Sequence, residues 1–172
     1  MGLPDICSEE DFGWHYSNWF FPGWRISRSL QNYPVTAVSA DGLFTHSNNV
    51  RITGLHYSEI RPPVKSRIFI ASGCWTAAER TMGKLLAKTY LNYCPDGAFI
   101  GCVSVLRGEM PRGAAESLCI ALAQGKTVTQ AIAMEHGKSY YHSIWHSDRE
   151  DPWMVMGDPE MTLDKARELF NS

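Results

Sequence analysis

Three segments, Val35–Ser39, Arg67–Ala71 and Ala98–Leu106, are apolar almost throughout and show no strict alternation with polar residues. A strand with one wet face alternates; a strand buried on both faces does not, and such strands belong to parallel sheets covered by helices on each side. Helical patterns separate the runs. Thr76 and Glu79 stand at capping-box spacing and open a helix to about Tyr93, with Met82, Leu85, Leu86, Thr89, Tyr90 and Tyr93 on its apolar face. After a loop at Arg107–Arg112, a helix runs to Gln124 and stops at Gly125. Thr127 and Gln130 open another, to about Tyr141. A polar loop, His142–Asp151, precedes a short strand, Trp153–Met156, ended by Gly157-Asp158-Pro159. Thr162 or Asp164 then caps a last amphipathic helix through Ala166, Leu169 and Phe170. The alternation predicts an α/β fold with a mainly parallel sheet sandwiched by helices.

The first 34 residues read differently. Phe12, Trp14, Tyr16, Trp19, Phe20, Phe21 and Trp24 crowd a stretch interrupted by Gly13, Pro22 and Gly23, with neither helical nor strand periodicity. The organisation expected is an aromatic N-terminal segment, 1–34, and an α/β domain, 35–172, whose sheet has about four strands and an open edge beside Val35–Val38. An open edge invites pairing with a second copy or a larger assembly, unless the aromatic segment covers it.

With 44% hydrophobic and 20% charged residues the chain is globular, and a net charge of −2 gives no bulk attraction to nucleic acid or anionic membrane. No apolar stretch approaches the length of a membrane span and no signal pattern opens the chain, so a cytoplasmic location is expected. The five cysteines, Cys7, Cys74, Cys94, Cys102 and Cys119, form no CxxC pair and suggest neither a disulfide framework nor zinc. His136, His142 and His146 read as helix and loop surface, so neither metal nor cofactor is expected.

Cys74 differs from the other cysteines. It follows Ile68-Phe69-Ile70-Ala71-Ser72-Gly73, at the carboxyl end of a buried strand, where open α/β sheets carry their chemistry. A helix starting directly after it would present its positive end to the sulfur and favour thiolate. Val35–Ser39 ends similarly at Ala40-Asp41-Gly42.

The strand ending in a small residue and Cys74, the apolar strand after Asp96-Gly97 and the terminal Trp153-Met154-Val155-Met156-Gly157-Asp158-Pro159 together resemble the C-terminal half of caspase-like cysteine peptidases, notably the gingipain family and CHAT domains. The resemblance spans about residues 32–165. It implies a caspase-like core reduced at its N-terminus, because such domains begin with two further strands and their helices. It also implies a cysteine endopeptidase with Cys74 as nucleophile and with backbone N–H groups of Cys74 and Gly42 as oxyanion donors. The loop carrying Arg107 and Glu109 would shape the substrate pocket. The expected partner is a peptide or protein.

One position departs from the family. The residue before the glycine is the catalytic histidine there and is Asp41 here. Histidine, with a pKa of about 6.5, both accepts and returns a proton near neutrality; aspartate, at about 3.9, is a poor acid at pH 7. A carboxylate near Cys74 would also raise the thiol pKa. Peptidase chemistry is therefore weakened or absent unless His46, in the following loop, substitutes as base; His56, further on, reads as structural. The alternatives are a catalytically silent module that binds a peptide or protein, and a non-peptidase α/β domain whose cysteine is incidental.

Overall fold

The apolar runs form the middle of the sheet. The computed structural model describes residues 3–17, 23–40, 60–74, 76–77, 82–107, 110–142 and 147–172. In chain order the elements are β1 (Phe12–Ser17), α1 (Gly23–Asn32), β2 (Val35–Ala40), β3 (Ile68–Ser72), α2 (Met82–Tyr93), β4 (Ala98–Cys102), α3 (Met110–Ala123), α4 (Val128–His136), a 3-10 turn at Ser139–His142, β5 (Trp153–Gly157) and α5 (Leu163–Asn171). The strands lie side by side in sequence order; β1 to β4 are parallel and β5 is antiparallel to β4. The α/β architecture with helices on both faces is as expected.

Side chains of β2, β3 and β4 alternate between two cores. Val35, Ala37, Ile68, Ile70, Ala98 and Ile100 join α3, α4 and α5, through residues such as Leu118, Ile132 and Ala166. Val38, Phe69, Ala71 and Phe99 join α1 and α2, through Ile26, Leu30, Leu86 and Tyr90. Both faces are dry, which is why the strands show no polar period. Phe69 meets Tyr90 and Phe99 edge to face at 5.5 and 5.4 Å, pairs worth about 0.5–1.5 kcal/mol each beyond area burial.

Three boundaries differ from the expectation. Among the described residues the sheet has five strands, not four: β1 pairs along the whole of β2, from Phe12↔Val35 to Ser17↔Ala40, so the edge expected beside Val35 is occupied by the aromatic segment itself. The third run leaves the sheet at Cys102, where Val103 N turns to Pro152 O, and returns only as the single bridge Leu106↔Ser147. The helix opened by Thr127 ends at His136, because buried Glu135 gathers the Tyr140 and Tyr141 hydroxyls and Lys138 Nζ and curls the chain into the 3-10 turn. Its start is as read, with reciprocal Thr127–Gln130 capping bonds, and Thr162 caps α5. Among the described residues no helix is long and apolar enough to cross a membrane.

The Gly-Asp-Pro turn is a structural joint. Gly157 has φ +93°, and a Cβ there would overlap the Gly97 carbonyl. Asp158 N donates to that same carbonyl at 2.9 Å. The Asp158 carboxylate accepts from Glu160 N at 2.9 Å and from Lys165 Nζ at 2.7 Å, fixing α5 against the end of β5. Pro159 O accepts from the Thr129 hydroxyl at 2.7 Å and ties in α4. The Lys165 hydrogen bond, above all, holds the Asp158 carboxyl below its ordinary 3.8. A lowered carboxyl pKa contributes stability that is complete above the ordinary value and lost as pH falls through the folded one. The Tm difference between wild type and Asp158→Asn is therefore expected to be constant above about pH 5 and to shrink below about pH 4. A pH-independent difference would contradict this role for the carboxylate.

Candidate functional site

Cys74 lies two residues past the end of β3, at the carboxyl edge of the four parallel strands. It is half-buried, outside any disulfide, and packs against the core on the α3 side. Its sulfur sits against the backbone of Leu106: Leu106 N–H donates to Sγ at 3.2 Å and the thiol faces Leu106 O, also at 3.2 Å. An N–H donor favours thiolate, whereas a carbonyl acceptor favours the protonated thiol. The segment after β4 thus approaches the cysteine closely, a contact between two loops that no local sequence pattern marks.

Thr76, read from the sequence as a helix cap, bonds the ends of β3 and β4. Its hydroxyl donates to Ala71 O at 2.7 Å and accepts from Cys102 N at 2.8 Å, while Ala77 N donates to Cys102 O at 2.9 Å. These bonds continue the β3–β4 junction past the last paired residues and fix both feet of the loop that carries Cys74. α2 spans Met82–Tyr93. Glu79, the other half of the expected cap, lies outside the described residues, as do Asp41, Gly42, His46, His56, Glu109 and His146.

Other groups collect at the same edge. Ser39 and Ser72 are register partners at the ends of β2 and β3. The Ser72 hydroxyl donates to Pro111 O in the first turn of α3. Ser39 Oγ and Ser104 Oγ are buried and have no hydrogen-bond partner among the described residues. Tyr16, at the end of β1, lies under the Arg112 guanidinium at 5.1 Å, and Arg112 bonds Glu116 at 2.9 Å. Arg107 is half-exposed and pairs with Asp148 at 3.0 Å beside the Leu106↔Ser147 bridge. Its charge is thus shared with a carboxylate on the facing loop, a contact worth at most about 1 kcal/mol at such exposure.

Two histidines have unexpected places. His136, read as surface, is half-buried and accepts Trp153 N–H through Nε2 at 3.0 Å, tying α4 to β5; burial lowers its pKa. His15, on β1, has a pKa lowered to about 4 by burial and by Arg25. It lies two strands from β3 on the sheet face covered by α1, opposite the face on which Cys74 packs. Neither supplies a base for the cysteine. Among the described residues no three His, Cys, Asp or Glu side chains cluster in a way that could hold a metal ion.

Burial separates the thiols. Cys7 is pushed up to about 11, and Cys94 and Cys119 are raised as well, each chiefly by desolvation. These three, and Cys102, are buried, while Cys74 is not fully so. Time-resolved iodoacetamide labelling of the native protein, mapped by mass spectrometry, is expected to modify Cys74 at least about tenfold faster than the other four. Uniformly slow labelling would make Cys74 a structural thiol. No family model, curated protein or solved structure matches this chain.

Proposed function

We propose that this chain is a caspase-like cysteine peptidase domain of the gingipain or CHAT type, with Cys74 as nucleophile and with proton transfer weakened or lost because Asp41 stands where the histidine is expected. The observation that carries the reading is the position of Cys74: a half-buried thiol on a braced loop at the carboxyl edge of parallel strands, in a sheet closed by the antiparallel Trp153–Gly157 strand. One βα unit, β1 and α1, precedes β2, where the family has two, so the proposed core is the reduced form.

In this reading the Cys74 thiolate attacks a peptide carbonyl and the oxyanion is met by backbone N–H groups of Cys74 and Gly42. The amine then leaves only after protonation, the step for which Asp41 is poorly suited. Contact of the Cys74 thiol with Leu106 O favours the second reading, a silent module that binds a peptide or protein, since it stabilises the protonated sulfur. A diverse peptide library separates the two. Slow cleavage by wild type that disappears in Cys74→Ala supports the peptidase; no cleavage, together with retention of library peptides, supports the silent module.

A further inference from the structure

His136 ties α4 to β5 in a role that a charged imidazole cannot fill. Its Nε2 accepts the Trp153 backbone N–H at 3.0 Å. A ring nitrogen accepts only while it carries no proton, and an imidazolium donates from both. Trp153 is buried, with its indole N–H donated to the Tyr141 hydroxyl at 2.8 Å, so a backbone N–H that loses its acceptor there is costly to keep in place.

The tie leads to Cys74. Trp153 opens β5 and closes the segment 147–152. On that segment Pro152 O accepts from Val103 N–H at 2.8 Å, and Ser147 forms the bridge to Leu106. Leu106 in turn sets both its N–H and its carbonyl 3.2 Å from the Cys74 sulfur. The imidazole therefore anchors the strand start that backs the loop lying on the thiol.

The surroundings fix the direction of the titration. Burial, the largest influence, lowers the His136 pKa; Asp151 and Glu135 oppose it, Arg149 reinforces it, and Tyr141 presents its ring edge-on at 6.3 Å. A histidine with a lowered pKa is neutral in the folded protein at pH 7, and the neutral tie weakens only as pH falls below about 6.5. Three exposed pairs lie on the same segment: His142–Glu150, Arg107–Asp148 and Arg149–Asp151. Their carboxylates stay charged above about pH 5.5, and protonation of His142 strengthens its pair, so loosening in mild acid originates at His136.

We propose that His136 is an acid-sensitive latch: neutral, it pins residues 147–153 behind Leu106 and keeps Leu106 on the Cys74 sulfur; protonated, it releases the segment and opens access to the thiol. The latch governs access to Cys74 and stands whether or not that thiol cleaves peptides. Nuclear magnetic resonance of the full chain between about pH 5.5 and 8 tests it, with the His136 Cε1 shift reporting the titration and hydrogen exchange reporting amide protection. Protection of the Trp153 amide, corrected for intrinsic exchange, is expected to fall about tenfold as His136 protonates, and that of Leu106 to fall with it. Iodoacetamide labelling of Cys74 supplies the second readout, as the ratio of wild type to His136→Gln at each pH, which cancels the thiolate fraction. Glutamine offers a neutral acceptor that does not titrate, so the ratio should be near one at about pH 8 and rise severalfold below about pH 6. Trp153 protection that is unchanged through the titration, or a His136 that stays neutral throughout, overturns the latch. A labelling ratio that is flat with pH overturns its link to Cys74. The amide measurement needs no variant and decides the matter if His136→Gln does not fold.

Discussion

Asp41→His is expected to raise peptide cleavage by roughly 10²–10⁴-fold, the contribution of one positioned general acid–base group. In the proposed mechanism the oxyanion donors are backbone N–H groups that do not change with the side chain, so the substitution would add only proton transfer. Cys74→Ala in the same background should remove the gain completely. Adding His46→Ala to the Asp41→His protein should leave the gain intact. If wild type already cleaves peptides and loses that ability with His46→Ala, the base has been relocated to the loop and Asp41 is not the cause of any weakness.

Gly157→Ala is expected to cost about 2–4 kcal/mol. A side chain at φ +93° carries about 1–2 kcal/mol of backbone strain, and the new Cβ must displace the Gly97 carbonyl, which costs a comparable amount. For a chain of this size the Tm should fall by roughly 5–15 °C. The displaced carbonyl also accepts Asp158 N–H, so β5, α5 and the turn before β4 are disturbed together. A fall of under 2 °C would mean that the turn relaxes freely. Thermal unfolding followed by circular dichroism measures it.

How legible these features were in the sequence depended on burial. β2, β3 and β4 were readable because both faces are dry and their residues are apolar without a gap. β1 was not. Phe12 and Trp14 pack on the α3 side, while Gly13 and His15 face α1, where Ser29 and Tyr33 fill the space a Gly13 side chain would need. An edge strand with a glycine and a half-buried histidine on the same face shows no clean period. Capping-box spacing identifies a hydroxyl and a carboxylate three residues apart, but not that the Thr76 hydroxyl also bonds the ends of β3 and β4. The Gly-Asp-Pro sequence was prominent as a resemblance, and its three residues have local structural work in joining β5, α4 and α5. Cys74 could be placed from its strand; its Leu106 contact could not, because that pairing crosses from one loop to another.

An ester substrate separates the nucleophile from the missing base. A p-nitrophenyl leaving group departs without protonation, so attack by Cys74 on a blocked-peptide nitrophenyl ester needs no histidine, whereas hydrolysis of the resulting thioester needs a base to activate water. Wild-type protein treated with a mixture of such esters and quenched in acid should gain the mass of one peptidyl group, mapped to Cys74, with release of one equivalent of nitrophenolate and little turnover. Absence of an adduct at Cys74, or the same labelling in Cys74→Ala, would contradict the assignment of this thiol as the nucleophile.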